Sequence, residues 1–172
     1  MRTAVIIGAG MIGTSIGLAL RKQGVDTCLM DAGPVALCIA EAVGSGTAEG
    51  PSGAVDLAVV AVSPAQVTPV VASHRSRGTA RFSVGVAGVK VSRWRELEVL
   101  GCDLATVVGG HPLVGRPGAG PLTAQDDLFG GRPRALVPAV ETDAAALNCA
   151  PELVAACAGR YRSSWMPRRA TG

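Results

Sequence analysis

The stretch that most constrains the fold lies at the start of the chain. Thr3-Ala4-Val5-Ile6-Ile7, short and almost wholly apolar, runs straight into Gly8-Ala9-Gly10-Met11-Ile12-Gly13, and Thr14 to Gln23 then reads as a helix closed by Gly24. A continuous apolar run of this length is the pattern of a strand buried on both faces of a parallel sheet. G-x-G-x-x-G between such a strand and a helix is the dinucleotide-binding fingerprint in its proper context. Gly8 permits the tight turn, Gly10 lets a diphosphate approach the backbone, and Gly13 lets helix pack closely on strand, while the helix N-terminus faces the phosphates. With Met11 and Ile12 these glycines form the expected cofactor-binding turn. The alternative is a glycine-rich turn in some other α/β protein.

Asp26 to Met30 reads as the second strand, and Asp31 ends it. An acid there can accept hydrogen bonds from the adenosine ribose hydroxyls and repel a 2′-phosphate. Ala32-Gly33-Pro34 offer no arginine to hold that phosphate, so NAD is favoured over NADP. A solvated carboxylate at a strand end is the bland reading of Asp31.

Further alternation follows. Val35 to Val43 reads as a helix, and Gly44 to Gly53 as a loop with room for a short third strand. Asp56 to Val62 repeats the buried-strand pattern, and Ser63-Pro64 turns into a helix from Ala65 to about Ser73. Ala80 to Val86 reads as a strand, Ser92 to Leu100 as a helix and Asp103 to Val108 as a strand. Arg134 to Pro138 is a further strand and Glu141 to Ala158 an amphipathic helix. Strands alternating with helices indicate an α/β fold, a doubly wound, Rossmann-type and mostly parallel sheet with helices on both faces. Ligands of such sheets bind at the carboxyl ends of the strands, where Gly10, Asp31, Ser63 and His111 would gather.

His111 stands in Val107-Val108-Gly109-Gly110-His111-Pro112-Leu113-Val114-Gly115. An apolar run ends in two glycines, and an imidazole is presented beside a proline. Histidine is the side chain best suited to taking a proton near pH 7. A turn with an incidental histidine explains the same residues equally well. His74, among polar and basic neighbours, reads as a solvated surface histidine.

Composition narrows the classes. A chain of 172 residues suffices for one domain with a real core. The net charge of +3 is concentrated at the end, where residues 160–172 hold Arg160, Arg162, Arg168 and Arg169 and no acid. The body is near neutral, which argues against nucleic acid as partner. The five cysteines are scattered and form no C-x-x-C pair, against a disulfide framework or a zinc or other metal site and for a reducing compartment. No apolar run approaches a membrane span, and no signal peptide precedes the first strand, so a cytoplasmic protein is expected.

With these pieces in place the sequence resembles the nucleotide-binding domain of the prephenate/arogenate dehydrogenase family, from about Thr3 to Gly159. The resemblance rests on Val5 to Ser15, Asp56 to Pro64, Val89-Lys90 and Gly109-Gly110-His111-Pro112 with the glycine loop that follows. It implies oxidation of the 4-hydroxyl carbon of a cyclohexadienyl ring with loss of carbon dioxide, a step of tyrosine biosynthesis. It makes His111 the acceptor for that hydroxyl's proton, sets Val62 and Ser63 beside the cofactor, and puts Gly88 and Lys90 on the substrate side with His111. Three departures stand out. Gly85 occupies a position that usually holds an acid, and Gly88 one that usually holds a serine. The family's helical domain, which dimerises, closes the cleft and supplies a substrate-binding arginine, is not represented. Two other readings stay open: a remnant that binds dinucleotide without turnover, and another Rossmann hydroxyacid or imine reductase.

The domain is therefore expected over 1–159, with 160–172 as a basic and disordered tail. One permitted set of codons for residues 160–167, read two bases later, encodes V-P-V-V-M-D-A, a buried-strand pattern. The tail is thus expected to be the product of a shifted reading frame, a genuine basic C-terminus being the alternative.

Overall fold

A computed structural model describes residues 1–86, 92–112, 118–132 and 134–158. Gly88, Lys90 and the tail 160–172 lie outside the described residues. The elements are β1 (Thr3–Ile7), α1 (Met11–Lys22), β2 (Asp26–Met30), α2 (Pro34–Ala42), β3 (Val55–Val60), α3 (Val67–Ser76), β4 (Ala80–Gly85), α4 (Ser92–Val99), β5 (Val107–Pro112), β6 (Arg134–Pro138) and α5 (Ala144–Ala158). They build one sheet in the order β2-β1-β3-β4-β5-β6. Every pairing from β2 to β5 is parallel, and β6 runs antiparallel to β5. The fold is the expected doubly wound, mostly parallel Rossmann-type sheet.

The strand period of two distributes each apolar run between two cores. Ala4, Ile6, Leu57 and Val59 meet Ile16 and Leu20 of α1 and Ala146, Ala150 and Leu153 of α5. Val5, Ile7, Ala58 and Val60 face Val67 and Val71 of α3 and Trp94 and Leu97 of α4. Both faces are covered, so the central strands carry no alternation of polar residues. β2 lies on one side of β1 and β3 on the other, the reversal at whose carboxyl ends doubly wound sheets hold their ligands.

Several boundaries differ from the sequence reading. α1 begins at Met11 rather than Thr14, because Gly10 is itself the N-cap. The loop after α2 contributes only a single parallel bridge, Cys28 with Thr47, on the outer edge of β2. Ser63-Pro64 leads into one 3-10 turn, Pro64–Gln66, before α3 starts. The largest difference is at β5. Leu104–Thr106 is a 3-10 turn, fixed by the Asp103 carboxylate accepting from the Ala105 N–H at 3.0 Å, so the strand starts only at Val107. It then continues through Gly109 and Gly110 to Pro112, because β6 pairs alongside. Glycine's weak strand preference hid this extension.

His74 is half-buried rather than solvated, with Nδ1 3.4 Å from the Thr79 hydroxyl. Burial, aided by the charge of Arg77, pulls its pKa below the ordinary histidine value. No helix among the described residues is long and apolar enough to cross a membrane.

Candidate functional site

The turn between β1 and α1 is held from two sides. Gly8 has φ +107, a left-handed conformation that favours glycine. A Cβ on Gly8 would also fall 2.5 Å from the Ala61 carbonyl oxygen just beyond β3. On the other side the Gly8 N–H donates to the Met30 carbonyl at the end of β2, at 2.8 Å. Gly13 packs so closely that a Cβ there would collide with the Gly8 carbonyl oxygen and lie 3.1 Å from Ile6 Cγ2. Gly10 is different: among the described residues a Cβ on it would meet nothing within 4 Å. Two of the three motif glycines therefore serve close approach within the protein, and the third borders open space.

That space lies at the start of α1. The first turn of α1 carries no acidic residue and Gly10 makes no side-chain cap. The opening N–H groups of a helix lack intrahelical partners and carry the positive end of its dipole. Open space, amide donors and the absence of a nearby acid in that turn suit a diphosphate, so the residues present fit a dinucleotide.

Asp31, directly after β2, is half-buried and uses both carboxylate oxygens. Oδ2 accepts from the Ala9 N–H at 2.6 Å, and Oδ1 accepts from the Gly33 N–H at 2.7 Å. The first bond ties the end of β2 to the middle of the glycine turn, and the second shapes the entry to α2. Each oxygen keeps a lone pair that can accept a ribose hydroxyl. From Ala32 to Val43 there is no lysine or arginine to pair with a 2′-phosphate.

Beyond β3, Val62 is half-buried and Ser63 exposed, with the Ser63 hydroxyl donating to Gln66 Oε1 at 2.9 Å. His111 is the fifth residue of β5 and pairs in register with Ala135 of β6. The last residue of β4 in the ladder, Gly85, is level with Gly109, so His111 stands two residues further toward the carboxyl end. Gly10, Asp31, Ser63 and His111 thus all sit at or beyond the carboxyl ends of their strands. Among the described residues no group of His, Cys, Asp and Glu is placed to hold a metal ion.

Sequence reasoning missed two features of this region. Spacing marked Asp31 as a ribose acceptor but gave no sign that it braces Ala9. Nor did it show that the segment after β5 returns to α1, where the Ser15 hydroxyl oxygen accepts from the Gln125 N–H at 3.0 Å.

Comparison with known proteins agrees with this architecture. The family model described as "Prephenate dehydrogenase, nucleotide-binding domain" matches residues 16–163. The chain belongs to that family. It is 80% identical over 157 residues to a protein of Streptomyces niveus described as "Probable prephenate dehydrogenase NovF", covering 91% of this chain and 43% of that relative. The chain therefore spans less than half the length of this curated relative. Among solved structures, a prephenate dehydrogenase from A. aeolicus, in complex with hydroxyphenyl propionate and NAD+, superposes with a TM-score of 0.79 at 22% identity. That match covers 92% of this chain and 58% of the solved one. A Synechocystis arogenate dehydrogenase matches with a TM-score of 0.75 at 22% identity, over 88% of this chain and 55% of its own.

Proposed function

We propose that this chain is the NAD-binding part of a prephenate or arogenate dehydrogenase, and that it presents His111 to the substrate. The observation that carries the reading is the glycine turn braced by Asp31, with open space over Gly10 at the mouth of α1. Gly8, Gly10, Met11, Ile12 and Gly13 would hold the diphosphate, Asp31 the adenosine ribose, and Val62 and Ser63 would border the cofactor. Asp31, together with the lack of a base in the following helix, favours NAD over NADP. NAD, when bound, supplies the hydride acceptor.

The chain's own chemical task is then small. His111 takes the proton of the substrate's ring hydroxyl as that carbon is oxidised and carbon dioxide leaves. Aromatisation supplies much of the driving force, so alignment and one proton acceptor suffice. Gly88 and Lys90 belong to the substrate side of this scheme. Gly88 lacks the hydroxyl that family members place before Val-Lys, which would leave His111 less firmly oriented. The full reading includes a dimer formed through a further helical domain and a cytoplasmic setting, consistent with five cysteines that are all free.

The test pairs a calorimetric titration with NAD and an assay for NADH formation with prephenate and with arogenate. Binding together with turnover supports the whole reading. Binding without turnover restricts this chain to dinucleotide binding, and no binding overturns the cofactor assignment. The length of chain spanned, 43% of the Streptomyces relative, makes binding without turnover the second reading to be weighed.

A further inference from the structure

The segment 118–126 lies along α1 as a strap. Gly118 is set against Met11, for a Cβ built on it would be 3.1 Å from the Met11 Sδ and 3.1 Å from the Thr123 hydroxyl oxygen. Pro121 is buried, and the 3-10 turn Pro121–Thr123 packs against both α1 and α2. The Gln125 N–H donates to Ser15 Oγ at 3.0 Å, and Lys22 Nζ pairs with Asp126 at 2.7 Å. Met11, Ser15 and Lys22 fall within about 40° of one another around a helix of 3.6 residues per turn, a single stripe about 16 Å long. Lys22, whose side chain leans toward the N-terminus of its helix, closes the far end.

These attachments are unequal. Lys22 and Asp126 are largely in water, where an ion pair contributes little. Ser15 is fully buried, and its loss would leave the Gln125 N–H without this acceptor. Ser15 is therefore a buried mooring of the strap at the N-terminal half of α1, beside the packing of Pro121. The end of the strap so held is Gly118, which stands against the residue directly following Gly10. Leu128 and Phe129, at 3% and 2% exposure, anchor the chain beyond the strap in the same core against which Met11 and Ile12 pack.

We propose that Ser15 is a positioning residue for the dinucleotide: it moors the 118–126 strap on α1, so that Gly118 fixes the Met11 side chain as the wall beside the diphosphate space over Gly10. The inference rests on the dinucleotide reading above and assigns the strap a part in it. Ser15 acts through Gln125, Gly118 and Met11 and touches no ligand itself. A side chain at Gly118 would crowd the Met11 thioether and the Thr123 side chain.

The experiment compares Ser15→Ala and Gly118→Val with the unaltered chain, using NAD, ADP-ribose and adenosine as probes and amide exchange of residues 118–126 as a second readout. The unaltered chain is expected to bind all three probes. In both variants NAD and ADP-ribose are expected to bind about fivefold more weakly, the scale of one net hydrogen bond, while adenosine, which has no phosphate, is unchanged. Exchange along the strap should accelerate in Ser15→Ala. Equal weakening for adenosine would mean a general structural role and overturn the proposal, as would undiminished NAD affinity in both variants. Gly118 is exposed, so Gly118→Val keeps the test alive if Ser15→Ala does not fold. If the unaltered chain binds no NAD, the dinucleotide reading falls and this inference with it; if it binds NAD and the variants match it, only this inference falls.

Discussion

Asp31 accepts the N–H of Ala9 at 2.6 Å, joining two residues 22 positions apart at the carboxyl ends of β2 and β1. Ala9 is almost fully buried, so this amide has little access to water if the carboxylate is removed. The acid expected to read the ribose is thus also part of the frame that gives the glycine turn its shape.

Replacing Asp31 should consequently do two things. Asp31→Ala is expected to destabilise the fold by about 1–3 kcal/mol, the cost of a buried donor left unpaired. It should weaken NAD by more than the loss of a ribose contact alone. Adding Ala32→Arg supplies a partner for a 2′-phosphate and should move preference toward NADP. Thermal melting and titrations with both nucleotides check this; an unaltered chain that prefers NADP would overturn the reading.

The motif glycines should separate folding from binding. Gly10→Val is expected to leave the melting temperature nearly unchanged and abolish NAD binding, since a Cβ there meets none of the described residues within 4 Å. Gly13→Ala should behave in the opposite order and lower stability by about 1–3 kcal/mol, because its Cβ collides with the Gly8 carbonyl. Equal effects on both properties in both variants would show that Gly10 has no special relation to a ligand.

His111→Asn is expected to lower kcat at least about a hundredfold in any form of the protein that turns over, while NAD affinity changes less than about twofold. Gly88→Ser should raise activity by restoring a hydroxyl beside Val-Lys. Steady-state kinetics with prephenate and arogenate measure both. A fall in NAD affinity as large as the fall in kcat would place His111 at the cofactor rather than at the substrate.

Asp56 links the starts of β1 and β3. Its carboxylate accepts from Arg2 N–H at 2.7 Å and Thr3 N–H at 3.1 Å, and its own N–H donates to the Thr3 hydroxyl at 3.0 Å. The Arg2 and Thr3 amides hold its pKa below the ordinary carboxylate value of 3.8. A depressed folded-state pKa means that the unfolded chain binds the proton first. The contribution is therefore complete above pH 3.8 and is lost as pH falls through the lower folded value. Asp56→Asn should cost about 1 kcal/mol near neutrality, small because the carboxylate stays in contact with water. The difference between the two proteins should vanish at the acid end of a pH series of unfolding curves; a constant difference would contradict this assignment.

Periodicity and local turn chemistry were enough for much of this protein. The buried runs of β1, β2, β3 and β4, the glycine turn and the acid ending β2 are each readable within a dozen residues, because a strand covered on both faces and a turn with φ > 0 restrict composition directly. The strand expected over Asp103 to Val108 stops short of Gly109-Gly110-His111-Pro112, because strand formation there is imposed by β6, more than twenty residues later. The brace from Asp31 to Ala9 and the mooring of Gln125 on Ser15, 110 positions apart, leave no trace in any local pattern. Sequence period reports which face of an element avoids water. Which carboxylate or hydroxyl satisfies a particular amide is decided only when distant segments are packed together, since each such bond exists only after the chain has closed the loop between its partners.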